Sequence, residues 1–98
     1  MKKLFVYGTL IDKGIQKGVL GREVSCREDT LLDYSKKPHT IFKVYPTIKK
    51  HTGDSVNGVV LDVTDHDLNL LDRYESNLYK KIDIKLASGI EAITYIES

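Results

Sequence analysis

Two short stretches of the sequence hold residues that can do chemistry. In Phe5-Val6-Tyr7-Gly8-Thr9-Leu10 a β-prone run stops abruptly at Gly-Thr. Glycine there lets the backbone turn sharply and lets a ligand approach the main chain. Successive N–H groups at Gly8, Thr9 and Leu10 can then converge on a carboxylate or a developing oxyanion. The same string also fits an ordinary strand-end turn. It is not a phosphate loop, because G-x-x-x-x-G-K-S/T is absent. The second stretch is Leu71-Asp72-Arg73-Tyr74-Glu75, followed by Tyr79. On a helix, Leu68, Leu71 and Glu75 fall at i, i+3 and i+7, on one face. A carboxylate near a helix C-terminus is disfavoured by the dipole by about 0.3–1 kcal/mol. Partial burial disfavours it too, so both effects raise its pKa. A carboxyl poised nearer neutrality can take and return a proton. If the helix stops at Tyr74, Glu75 is instead a solvated loop acid. Asp72 and Arg73 flank the stripe and read as surface charges.

Other chemistry is poorly served. His39, His51 and His66 lie far apart with no H-x-x-x-H or H-E-x-x-H pairing, so no metal site is expected. The one cysteine, Cys26, cannot form an intrachain disulfide and reads as a small half-buried residue. No G-x-S-x-G elbow supports a Ser-His-Asp site. Lys36-Lys37 and Lys49-Lys50 read as solvated loop charges. Tyr34 and Tyr45 could stack on bases, but 15 basic against 14 acidic residues leaves a net charge of only +1. That balance gives no electrostatic case for nucleic acid or an anionic membrane.

The elements that must position these residues come from 98 residues, enough for a single domain over 1–98. A composition 41% hydrophobic and 30% charged fits a globular chain and is too apolar for a disordered one. After Lys2-Lys3 the apolar run Leu4 to Tyr7 is far shorter than the roughly 7–15 residues of a signal segment. A reducing cytoplasm is therefore the expected compartment. Leu4 to Tyr7 predicts the first strand. Ile11 to Gly21, with three glycines, reads as a loop with one helical turn near 15–20. Glu23 to Arg27 and Thr30 to Tyr34 read as separate strands, and Ser35 to Thr40 as a loop around Lys36-Lys37-Pro38-His39. Phe42 to Ile48 reads as an edge or bulged strand, because Pro46 interrupts it. His51 to Ser55 reads as a turn, and Val56 to Val63 as the best strand. Thr64 can cap a helix with Asp65 and Asp67 in its first turn. Tyr79 to Leu86 and Ile90 to Ile96 alternate about the turn Ala87-Ser88-Gly89, as a hairpin does. Short strands with one firm helix predict α+β, with a curled, mainly antiparallel sheet.

In order and spacing these pieces resemble the γ-glutamylcyclotransferase-like family, which includes AIG2-like and BtrG-like proteins. The resemblance runs from Phe5-Val6-Tyr7-Gly8-Thr9-Leu10, through Tyr45-Pro46-Thr47-Ile48 and Val56-Asn57-Gly58-Val59-Val60-Leu61. It continues through Leu70-Leu71-Asp72-Arg73-Tyr74-Glu75 and Tyr79 to Gly89–Tyr95. It implies a small mixed β-barrel with one main helix and a cavity. Tyr7, Gly8, Thr9, Leu10 and Tyr79 would hold a small γ-glutamyl substrate there, and Glu75 would be the general acid/base. The implied reaction closes the glutamyl group to 5-oxoproline and releases an amine, with no cofactor.

Two departures stand out. Ile11-Asp12-Lys13-Gly14 replaces the family's usual Arg and Asn, and Tyr79-Lys80-Lys81 replaces its Tyr-x-Arg. Lysine lacks the planar fork of arginine. A non-catalytic ligand-binding module and a protein-interaction domain on the same fold are the alternatives.

Overall fold

The first strand, β1 (Lys2–Val6), continued by Tyr7, puts Leu4 and Val6 on one face and Phe5 and Tyr7 on the other, and this alternation divides the core in two. The computed structural model describes residues 2–41, 45–75 and 79–97, without the side chains of Thr9, of 37–41 and 45–47, and of Glu97. After β1 come a 3-10 turn (Thr9–Ile11), α1 (Lys13–Leu20), β2 (Cys26–Ile41) and β3 (Tyr45–Val63). Then follow α2 (Asp65–Glu75), β4 (Tyr79–Lys85) and β5 (Glu91–Glu97). The sheet order is β2-β3-β1-β5-β4. Every neighbouring pair is antiparallel except β1 with β5. No helix among the described residues is long and apolar enough to cross a membrane.

One face of the sheet offers Leu4, Val6, Leu61, Val63 and Tyr95, and the helices cover it with Leu20, Leu68 and Leu71. The other face gathers Phe5, Tyr7, Leu31, Val56, Val60, Ile84 and Ala92. Leu31 and Ile84 come from the two edge strands, so the sheet must curl for them to share a cluster. The curled, mainly antiparallel α+β fold is as expected. A closed barrel is not: among the described residues β2 and β4 share no ladder. The gap is bridged by the β4–β5 turn, where the Ala87 N–H donates to Thr30 O (2.8 Å) and Ser88 Oγ to Asp29 Oδ2 (2.5 Å).

Both helices are set by their ends. The Asp12 side chain accepts from the Ile15 N–H at 3.0 Å, and Gly21, at φ 75°, closes α1. Gly14 and Gly18 lower the local propensity, which is why the sequence reads as a loop where an eight-residue helix forms. In α2, Thr64 Oγ1 accepts from the Asp67 N–H (3.1 Å) while Asp67 Oδ2 accepts from the Thr64 N–H (2.9 Å). This reciprocal pair is a capping box with aspartate in the third position. Arg22, just past α1, also pairs with Asp67, so the end of one helix is tied to the start of the other.

The expected break-up of residues 23–55 is corrected. Residues 26–41 are one strand, and Ser35 to Thr40 belongs to it rather than to a loop. Lys36 pairs with Ile48 and Lys37 with Thr47. The non-local ladder, anchored by the buried Ile48, overrides the polar local sequence. Pro38 is tolerated because β2 is an edge strand. The turn signal at His51 to Ser55 marks a bulge. Pairing jumps from Leu32–Ser55 to Tyr34–Lys50, so Asp33 alone opposes residues 51–54. Asp33 (φ 64°) and Gly53 (φ 93°) take left-handed backbone there, and the Gly53 N–H donates to Asp33 Oδ1 at 3.1 Å. Of the strand expected over Phe42–Ile48, residues 42–44 lie outside those described. The hairpin of β4 and β5 forms as expected, in the register Lys81–Tyr95 and Asp83–Ile93.

Candidate functional site

The Gly8–Leu10 segment is held by its carbonyls. Lys36 Nζ donates to Tyr7 O at 2.8 Å, and the Ile11 N–H donates to Gly8 O at 3.1 Å. Gln16, 2% exposed, sends Nε2 to Leu10 O at 2.7 Å. The Leu10 side chain is buried in the cluster beneath the helices. The first N–H groups of a 3-10 turn have no partner within the turn. The segment is thus a rigid turn whose leading edge is made of donors. Thr9 contributes backbone to it, and its side chain lies outside those described.

Asp12 brings negative charge near this loop in the sequence, and the fold uses that charge locally, because its Oδ1 caps α1. The altered Ile11–Gly14 segment therefore starts a helix, and Gln16 of that helix fixes the loop.

Glu75 is the last residue of α2, one turn beyond the fully buried Leu71. The helix does run through it, and the side chain is half-buried. Burial pushes its carboxyl up to about 7. Tyr95 of β5, 6% exposed, lies against the same helix and donates its hydroxyl to Asp72 Oδ1 at 2.6 Å. Lys81 of β4 donates to Asp72 Oδ2 at 3.1 Å. The Tyr95 bond holds the Asp72 carboxyl below the usual aspartate range despite partial burial, and Lys81 adds to the effect. Burial first, then the Asp72 bond and charge, then the charge of Glu75, push the Tyr95 phenol upward.

Tyr95 also links the two sequence stretches. The Tyr7 hydroxyl donates to Tyr95 O at 2.5 Å, which draws the end of β1 onto β5. The Tyr7 ring itself lies in the opposite cluster, 6.4 Å between centroids from Phe5. Tyr79, half-buried at the start of β4, packs against the cluster that contains Leu10, Leu71 and Tyr95. The loop, Tyr79 and the helix that carries Glu75 therefore meet around one apolar cluster. Tyr45 and Pro46 lie on β3, with side chains outside those described.

Sequence reasoning missed four residues of this region: Gln16, Lys36, Asp72 and Tyr95. Asp72 is exposed, as expected of a surface charge, yet it also accepts from two strands, which nothing local marks. Its spacing of three from Glu75 is the signal that could have found it, since such residues are neighbours on a helix. Arg73 is exposed, as expected of a surface charge.

Comparison with known proteins places this geometry. The family described as gamma-glutamyl cyclotransferase, AIG2-like, matches residues 4–97. AIG2-like protein D of Arabidopsis thaliana is 32% identical over 87 residues, which are 88% of this chain and 57% of that protein. A solution structure from Arabidopsis thaliana superposes with TM-score 0.86 at 24% identity, covering 98% of this chain and 61% of that one. A solved gamma-glutamyl cyclotransferase superposes with TM-score 0.83 at 20% identity, covering 99% of this chain and 66% of that one. The chain thus spans between 57% and 66% of the length of these three proteins. With the match running from β1 into β5, the chain belongs to the gamma-glutamyl cyclotransferase, AIG2-like family.

Proposed function

We propose that this protein is a γ-glutamyl cyclotransferase acting on a small γ-glutamyl amine or γ-glutamyl amino acid, with Glu75 as general acid/base. The observation that carries the reading is the Glu75 carboxyl: half-buried at the end of α2, pushed up to about 7, and beside the cluster that anchors the Gly8–Leu10 turn.

The substrate's α-ammonium gives a proton to the Glu75 carboxylate. The freed amine attacks the γ-carbonyl carbon of the same molecule and closes a five-membered ring. Both reactants belong to one molecule, so folding the glutamyl chain supplies most of the proximity. The carbonyl oxygen becomes an oxyanion, and the N–H groups of Gly8, Thr9 and Leu10 stabilise it or the substrate carboxylate. Collapse breaks the old bond to nitrogen as Glu75 returns the proton to that leaving nitrogen; the surplus proton on the new ring nitrogen then passes through the Glu75 carboxylate to the released amine, which departs as an ammonium. The products are 5-oxoproline and the free amine, with no water consumed. Tyr7 and Tyr79 shape the pocket around the glutamyl group.

The test incubates the protein with a panel of γ-glutamyl amines and amino acids and measures 5-oxoproline by mass spectrometry. Product from the wild type and none from folded Glu75→Gln supports the reading. Saturable binding without product from any member of the panel overturns it and assigns a binding module instead.

A further inference from the structure

The buried residues of α1 are Gln16 and Leu20, four apart and so on one face of the helix. Leu20 joins the apolar cluster beneath the helices, whereas Gln16, 2% exposed, brings a primary amide to that face. Burying an amide is unfavourable unless hydrogen bonds offset it. Gln16 Nε2 donates to Leu10 O at 2.7 Å and, at 3.4 Å, to Ile11 O. Carbonyl oxygens can only accept, so the NH2 end of the amide must face them. The start of α1 sets the reach of this side chain, because the Gln16 N–H donates to Asp12 O at 3.0 Å.

Two peptide groups relay this contact to Thr9. Leu10 O and the Ile11 N–H belong to one trans peptide and point in opposite directions. With Leu10 O held by Gln16, the Ile11 N–H is turned back to Gly8 O, which it meets at 3.1 Å. Gly8 O shares its peptide with the Thr9 N–H, so that N–H points away from Ile11 and out of the turn. Hydrogen bonds in series polarise one another, so the Gln16 amide also strengthens the Thr9 N–H as a donor. The Gly8 N–H is fixed separately, through Lys36 on Tyr7 O. From this geometry we infer that Gln16 is a positioning residue, which holds the Thr9 N–H outward as a donor to a bound anion. That the anion is the carboxylate or oxyanion of a γ-glutamyl substrate rests on the cyclotransferase reading above.

The experiment compares wild type with two variants. Gln16→Met keeps the length of the side chain and removes the donor. Asp12→Ala removes the Oδ1 cap from α1 and leaves the Gln16 amide in place. By amide hydrogen exchange the Ile11 N–H should exchange about tenfold faster in Gln16→Met, as for loss of one buried hydrogen bond. The Thr9 cross-peak in a 1H–15N spectrum should shift with it. Formation of 5-oxoproline from a γ-glutamyl amine should fall about tenfold in kcat/KM, through a misdirected donor. Asp12→Ala should lower the thermal midpoint while kcat/KM changes by about twofold or less, since cap loss acts on helix stability. Equal losses of kcat/KM in the two variants would assign the effect to the helix and overturn the inference. An unmoved Thr9 cross-peak or an unchanged kcat/KM in Gln16→Met would overturn it too. Gln16→Asn, an amide one methylene short of Leu10 O, gives the same comparison should the methionine variant not fold. If the wild type forms no 5-oxoproline, the cyclotransferase reading fails, while Ile11 exchange and the Thr9 cross-peak still decide whether Gln16 holds the turn.

Discussion

Lys36 Nζ donates to the carbonyl of Tyr7 at 2.8 Å, reaching from β2 past β3 to the end of β1. A trans peptide sets its C=O and N–H on opposite sides. The bond therefore fixes which way the Gly8 N–H points, and the charged donor polarises that peptide.

Lys36→Met is accordingly expected to raise the KM for a γ-glutamyl substrate about fivefold, for loss of roughly 1 kcal/mol. The thermal midpoint should move little, because the side chain is exposed. Lys36→Arg should restore most of the loss. The Gly8 amide cross-peak in a 1H–15N spectrum should shift in the methionine variant. An unmoved cross-peak with unchanged KM would show that the contact is incidental.

Glu75 carries a stability cost that its replacement should reveal. Its ordinary value is 4.5 and burial raises it to about 7 in the folded chain. Below pH 4.5 the carboxyl is protonated in both folded and unfolded chains, so it costs nothing. Between 4.5 and 7 the unfolded chain ionises first, and folding loses stability as the pH rises. Above 7 the full penalty remains, about 2 kcal/mol once solvent screening is allowed for. Glu75→Gln should therefore be more stable than wild type at pH 8 and equal to it near pH 4, while 5-oxoproline formation falls by roughly 10²–10⁴-fold. Urea denaturation at the two pH values checks the first half. Equal stability at pH 8 would mean that Glu75 is solvated in the folded chain.

What was legible in the sequence followed from local rules. Val56–Val63 has the composition of a buried strand, and Thr64 with Asp67 announces a helix start without help from the rest of the chain. The stripe Leu68, Leu71, Glu75 turned an acid inward, and the structure carries the helix through it. What was illegible depended on partners far along the chain. Ser35–Thr40 is extended only because Ile48 and Thr47 lie opposite Lys36 and Lys37. Tyr95 sits on a strand with apolar residues on both faces, so alternation could not say which cluster it joins. Asp72 acquires its meaning from Tyr95, 23 residues later.

The junction between the two helices should be the acid-sensitive point of the helical layer. Asp67 is 2% exposed, and its burial opposes ionisation, but the Thr64 N–H and hydroxyl and the Arg22 guanidinium together hold its carboxyl below the ordinary 3.8. Such a group contributes stability above 3.8 that is lost as the pH falls through its lower folded value. Asp67→Ala removes a cap and leaves Arg22 unpaired, which should cost about 2 kcal/mol at pH 7. Asp67→Asn keeps an acceptor for Thr64 and should cost about half of that. Denaturant unfolding from pH 7 down to pH 2.5 should show the alanine gap closing as the acid limb is reached. A gap that stays constant would assign the loss to packing instead of charge.

Gly58 marks the place where β1 and β3 come too close for any side chain. A Cβ there would lie 2.3 Å from Val6 O and 2.7 Å from Phe5 Cζ. The first contact is backbone, and Val6 is registered against Val59 in the antiparallel ladder, so it cannot retreat without breaking that pairing. The Phe5 ring, 1% exposed, fills the space that a side chain at position 58 would need. Gly58→Ala should therefore cost about 3 kcal/mol or more, at the upper end of overpacking penalties. The strain would fall on Val6, two residues before Gly8, so the Gly8–Leu10 turn should be displaced along with the strand. Amide cross-peaks of Gly8 and Leu10 should move in Gly58→Ala even under conditions where the variant remains folded. A variant of normal stability with an unmoved turn would show that β1 and β3 can part locally without disturbing the site.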